Sequence, residues 1–149
     1  MWTAKLKFIA LGLSLTFLTV GCSTFHRDWR EAAKTPPPPN DITGRWDGRW
    51  ISQVNGHNGR LRCLISKTGD GSYSARFHAK YKKILSFGYT VPLTAKTESG
   101  KWVFEGQADL GKLAGGLYTY KGNASPTEFF SIYDSKYDRG TFEMTRPAK

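Results

Sequence analysis

The sequence is poor in the residues from which active sites and metal sites are commonly built. Cysteine occurs only at Cys22 and Cys63, which excludes a framework stapled by several disulfides. Histidine occurs three times, at His26, His57 and His78, with no spacing to each other or to a carboxylate that makes a metal site. Asp134 to Gly140 faintly resembles a calcium loop, but Lys136 and Arg139 oppose a cation and the third-position ligand is absent. Serine, cysteine and histidine show no nucleophile arrangement. These shortages predict a protein without a metal, a cofactor or a catalytic site. Acid is also scarce, with 12 Asp and Glu against 22 Lys and Arg and a formal net charge of +10. Nor is there a long apolar run. A membrane-spanning helix takes about 20 apolar residues, and the early apolar stretch, Phe8 to Val20, has thirteen.

That short stretch follows a basic start carrying Lys5 and Lys7, and it ends in the small residue Gly21 before Cys22. This is the form of a secretory signal. The ending Thr19-Val20-Gly21-Cys22 resembles the lipobox of bacterial lipoproteins, with Thr19 where that family usually has Leu. The resemblance implies a signal peptide over 1–21 and a diacylated Cys22 as the new first residue. Ser23 after the cysteine implies the outer membrane under the enterobacterial rule. The expected location is therefore the cell envelope, lipid-anchored, facing the periplasm or the surface. An ordinary cleaved signal and an uncleaved anchor are the competing readings. With Cys22 acylated, Cys63 has no partner, and it falls on the apolar face of a strand, where it serves as a small hydrophobe.

Residues 22–41 read as a lipidated tether. Pro36 to Pro39 favour an extended, semi-rigid spacer. Residues 24–34 have the spacing of a short amphipathic helix with Phe25 and Trp29 on one side. The domain begins at Ile42 and runs to Lys149. It holds 17 Lys and Arg against 9 Asp and Glu, so nearly all the positive charge sits on the folded part. Such a surface attracts an anionic envelope component. Export argues against nucleic acid as the partner.

From Ile42 onward no helical period is evident; apolar and polar residues alternate, as in strands with one buried face. Tyr73, Ala75, Phe77, Ala79 and Tyr81 alternate with Ser74, Arg76, His78 and Lys80. The same pattern places Trp46, Gly48 and Trp50 on one face, then Leu61, Cys63 and Ile65, then Leu85 to Leu93, then Trp102 to Leu110. Leu117–Gly122, Phe129–Tyr133 and Thr141–Thr145 complete eight strands. Gly, Asn and Asp between them supply the positive φ angles of tight hairpins. Short connections predict consecutive antiparallel neighbours in an all-β, eight-stranded, up-and-down barrel, and closure removes exposed edges. A two-sheet sandwich is the competing architecture. The outward residues are polar, opposite to an outer-membrane barrel.

Gly44-Arg45-Trp46, opening the first strand, resembles the calycins, the lipocalin and fatty-acid-binding group of barrels. Those families often carry a basic residue on the last strand that packs across the tryptophan, and Arg146 stands in a suitable place. The resemblance implies a barrel-closing pair, Trp46 and Arg146, and a small apolar or amphipathic ligand at the other end. The loops with His57, Lys82–Lys83 and Gly111 to Gly116 would surround that ligand, with Trp50, Phe77 and Tyr89 among its wall residues. An eight-stranded barrel can equally be filled by its own side chains. The alternative expectation is therefore a filled barrel acting as a structural or interaction lipoprotein through its basic exterior.

Overall fold

The computed structural model describes residues 20–148. Of the expected signal peptide, residues 1–19 lie outside the described residues, as does the side chain of Cys22. One helix, α1 (Val20–Ala32), precedes eight strands: β1 (Gly44–Ser52), β2 (Asn58–Gly69), β3 (Ser72–Tyr81), β4 (Leu85–Glu98), β5 (Lys101–Asp109), β6 (Leu117–Ala124), β7 (Glu128–Ser135) and β8 (Arg139–Thr145). Each strand pairs antiparallel with the next, and β1 closes on β8, with Gly48 opposite Met144. The alternation in the sequence therefore specifies one closed up-and-down barrel, and the β1–β8 ladder rules out the sandwich. Along β3, Tyr73, Ala75, Phe77 and Ala79 are buried while Ser74 and Arg76 are partly exposed. The period of two has become an inside and an outside.

In an up-and-down barrel alternate loops share an end. The β2–β3, β4–β5 and β6–β7 loops lie with the start of β1 at what is the closed end. Here the core is solid. Trp46 is fully buried and its indole N–H donates to the Ile42 carbonyl at 2.9 Å. Phe129 packs beside it, with ring centroids 5.6 Å apart, and Phe104 stacks on Phe129 at 4.6 Å. Ile42 is itself fully buried, so the chain leading into the barrel plugs this end.

The segment before the barrel does not stand away from it. Helix α1 lies across the outer wall of β1, β3 and β4, and Phe25 and Trp29, on one side of the helix, are buried. Phe25 stacks on His78 at 5.1 Å, and the guanidinium groups of Arg45 and Arg62 lie 5.4 and 5.1 Å from the Trp29 ring. Arg76 clamps Asp28 at 2.7 Å. An Arg-rich barrel face, which the sequence presents as solvent-exposed, is thus partly a cation–π seat for two aromatic side chains. His78, outward on β3, is only 4% exposed because the helix covers it.

The barrel wall forks at one place. The β4–β5 ladder runs from Glu98–Lys101 to Leu93–Gly106 and stops, although both strands continue toward the open end. Pro92 and Gly106 explain the stop. Proline offers no N–H to carry the ladder on. A Cβ at Gly106 would lie 2.4 Å from the Pro92 carbonyl oxygen, so only glycine permits this approach.

Candidate functional site

The open end contrasts with the closed end in having space. A cavity of about 610 Å³ lies inside the barrel mouth and reaches the β4–β5 fork. Trp50 of β1 and Ala79 of β3 line one side, Phe87 and Tyr89 of β4 the fork, Tyr118 and Tyr120 of β6 the next wall, and Tyr133 and Phe142 the remainder. The cavity size falls within the range of about 300–1,000 Å³ that small-molecule sites usually occupy.

Each wall residue has a local reason for its position. Trp50 faces Gly59 across the β1–β2 ladder. With no Cβ at Gly59 the indole reaches over and donates to the Lys80 carbonyl at 3.0 Å; a Cβ there would sit 1.8 Å from that oxygen. Tyr89 is held from below by Phe77, whose ring stacks on it at 5.2 Å, and from above by Phe87 at 6.3 Å. Phe77 in turn meets Phe142 at 5.3 Å and is 3% exposed. Of the three wall residues expected from sequence, Trp50 and Tyr89 border the cavity, whereas Phe77 supports its floor from beneath. Tyr118 stands over Gly115, where the glycine's left-handed φ of +100° and missing side chain leave room for the phenol.

The cavity is apolar in its walls and lined with hydroxyls. Burial raises the pKa values of Tyr89 and Tyr120 well above the ordinary phenol range, and each phenol perturbs the other's titration. Tyr133 is raised in the same sense, first by burial and then by Asp138, to which its hydroxyl donates at 3.1 Å. The other Asp138 oxygen accepts from Ser52 at 2.6 Å. These phenols are neutral at physiological pH and serve as hydrogen-bond donors or acceptors rather than charges. The Asp138 carboxylate, within the segment that faintly resembles a calcium loop, is therefore occupied by hydroxyl donors. Among the described residues no group of three or more His, Cys, Asp or Glu side chains could hold a metal ion.

The reading of the sequence missed Tyr118, Tyr120, Tyr133 and Asp138. Their signal is present but weak. Tyr118, Tyr120 and Tyr133 occupy inward positions of β6 and β7 near the open-end loops, where the closed-end half of the barrel uses Phe and Met instead.

At the closed end the structure brings Trp46 and Arg146 together. The guanidinium carbon lies 3.8 Å from the indole centroid. Its nitrogens donate to the carbonyls of Thr43 at 2.8 Å, Arg45 at 3.2 Å and Asp41 at 3.0 Å. Burial lowers the Arg146 pKa to about 10 while Asp41 opposes the shift, so the group stays cationic at neutral pH. This cluster acts as a stopper, and the space beside it, about 170 Å³ between Arg146 and Pro36 to Pro38, is far smaller than the cavity at the open end. Cys63 is fully buried between the two ends, and burial pushes its thiol pKa well upward, leaving it a packed, unreactive group.

No family model matches the chain, and no curated protein shows significant similarity to it. None of the described helices is long and apolar enough to cross a membrane.

Proposed function

We propose that this protein is an exported lipoprotein, anchored in the cell envelope through a diacylated Cys22, whose barrel binds one small apolar or amphipathic molecule. The observation that carries the binding reading is the cavity of about 610 Å³ at the open end, walled by Trp50, Phe87, Tyr89 and Tyr118. Aromatic rings supply apolar area, while the hydroxyls of Tyr118, Tyr120 and Tyr133 offer hydrogen bonds to one polar group. That combination suits an amphipathic ligand better than a charged one. Gly44, Trp46 and Arg146, with the closed eight-stranded barrel, support a calycin-like assignment. The lipid anchor rests on the basic, apolar and small-residue order before Cys22. No catalytic or metal role is proposed.

The filled-barrel alternative draws on the closed-end half, which is packed solid and surrounded by basic charge. Native mass spectrometry of the full chain, exported in a bacterial host and taken from its envelope in mild detergent, separates the readings. A co-purifying mass of a few hundred daltons that leaves on denaturation supports the ligand-binding barrel. An apo mass unchanged by incubation with envelope lipid extract contradicts it and turns attention to the basic surface. The same spectrum reports on Cys22, because diacylation adds the mass of its lipid.

A further inference from the structure

The open end carries a second feature, on its outside. Nine large apolar side chains are exposed among the described residues, and seven of them belong to the open-end loops or the strand ends beside them. Ile84 and Leu85 project from the β3–β4 hairpin, Ile84 being 87% exposed, and Phe87 follows at the lip of the cavity. Leu113, fully exposed on the 3-10 turn Lys112–Ala114, and Leu117 rise from the β5–β6 connection on the other side of the β4–β5 fork. Val54 and Tyr137 extend the rim through the remaining two loops. The other two exposed apolar residues, Phe130 and Ile132, are on the outer wall of β7. The closed-end loops have none. They carry mixed charge, with Asp70 beside Lys67 and Glu98 paired to Lys96. Exposed apolar residues concentrated in one place mark an interaction site.

The charge around this rim is basic. Lys82 and Lys83 form the β3–β4 turn, Lys112 stands beside Leu113, and Lys136 beside Tyr137. Three acids lie nearby: Asp109 accepts from the Gly111 N–H, Asp138 accepts from Ser52 and Tyr133, and exposed Asp134 stands opposite Arg139 in the β7–β8 ladder. Lys82 and Lys83 both adopt left-handed backbone, with φ of 50° and 62°. Asn-Gly is the cheapest sequence for such a pair, yet the chain places two lysines there. The turn therefore presents two positive charges at the rim where its geometry alone would favour Asn-Gly.

The direction of α1 agrees. Its early residues Phe25 and His26 lie against His78, toward the end of β3 that enters the open-end hairpin. After its carboxyl end the chain passes Gly44 at the closed end, with Pro37 within 4.0 Å of a Cβ built there. From Phe25 onward α1 therefore runs from the open-end side of the barrel toward the closed end.

We propose that the open-end rim is a membrane-docking surface. Its apolar loop residues enter the head-group region of an anionic bilayer, and Lys82, Lys83, Lys112 and Lys136 pair with lipid phosphates. The cavity mouth and the β4–β5 fork then face the lipid, so the ligand of the proposed site is membrane-borne. The orientation rests on the reading of Cys22 as the anchor; the amphipathic rim and the cavity behind it do not.

The test places a polarity-sensitive, thiol-linked fluorophore at Leu113→Cys or, at the opposite end, at Asp70→Cys. The full chain is reconstituted in vesicles of mixed zwitterionic and anionic phospholipid that carry an acyl-chain quencher. Cys63 is fully buried and does not compete for label; a Cys22→Ser background serves if intact mass shows that cysteine free. The expected result is a blue shift and quenching at position 113 but not at position 70. Adding Lys82→Glu with Lys83→Glu should reduce the quenching roughly fivefold or more, since each lysine near an anionic surface contributes about that factor. Equal exposure of both probes to an aqueous quencher overturns the proposal. So does a shift at position 113 that grows with protein concentration in the absence of vesicles, which assigns the rim to a second copy of the chain. Ligand mass in the same preparation is read separately, so a docked rim with an empty barrel contradicts the ligand reading alone.

Discussion

The two ends of this barrel are made of the same strands and have opposite characters. At the closed end Trp46, Phe104 and Phe129 fill the interior, and Arg146 seals it by donating to backbone carbonyls. At the open end tyrosines join phenylalanines, the hydroxyls of Tyr133 and Ser52 donate to Asp138, and space remains. Three glycines with positive φ, Gly111, Gly115 and Gly116, shape the β5–β6 connection, whose Leu110 and Ala114 border the mouth. The closed end contributes stability, and the open end holds cavity, hydroxyls and exposed apolar loops that a stability argument alone does not require.

That division can be tested by substitution, and the largest effect belongs to the closed end. Trp46→Ala should cost about 3–5 kcal/mol as a buried-aromatic deletion, read as a lower urea midpoint; an unchanged midpoint contradicts the placement of Trp46 at the centre of the stopper. Arg146→Met keeps bulk over the indole but leaves carbonyls unpaired, with an expected loss of about 1–3 kcal/mol in the same titration. Tyr133→Phe removes one hydrogen bond to Asp138, which keeps Ser52, and should cost about 0.5–1.5 kcal/mol. Phe87→Ala, at the exposed lip, should change stability by no more than about 0.5 kcal/mol while weakening ligand retention in native spectra. If Phe87→Ala destabilised the chain as much as Trp46→Ala, the contrast between the ends would be lost.

A smaller effect concerns the outer wall under α1. Burial lowers the His78 pKa from 6.5, with His26, Lys80 and Arg62 adding repulsion to its charged form, and its Nε2 has no hydrogen-bond partner among the described residues. The unfolded chain therefore binds this proton more readily than the folded one. Stability should be full above the ordinary histidine range and fall as pH drops through 6.5 toward the lower folded value. His78→Phe should flatten that part of a stability–pH curve. The Asp28 carboxyl, lowered chiefly by its hydrogen bond to Arg76, contributes in a separate, more acidic window below its ordinary 3.8.

How far the sequence discloses this molecule depends on which physical signal each part leaves. The strands were legible because a closed barrel imposes a period of two, and Tyr73 to Tyr81 shows it without interruption. Gly44-Arg45-Trp46 and Arg146 pointed to one end of the barrel through their chemical types. The docking of α1 was only half visible. The spacing of Phe25 and Trp29 predicts an amphipathic helix, but nothing local says that Arg45, Arg62 and His78, distant in sequence, form its seat. The cavity was less visible still. Whether inward side chains leave space depends on their summed volume across eight strands, and Tyr118, Tyr120 and Tyr133 have the same alternation as core residues. The β4–β5 fork left a trace in Pro92 and Gly106, whose juxtaposition emerges only with the register.

The measurement that addresses the central claim most directly is an equilibrium titration of an uncharged, environment-sensitive apolar fluorophore into the parent chain and into Ala79→Phe. Ala79 lines the cavity opposite Phe87 and is 2% exposed, so the larger side chain fills the space while leaving the rim loops unchanged. A ligand cavity requires one saturable site in the parent, at least about tenfold weaker in Ala79→Phe, a loss of about 1.4 kcal/mol. Absence of a saturable site, or equal binding by both chains at matched stability, would contradict a ligand cavity in the open end.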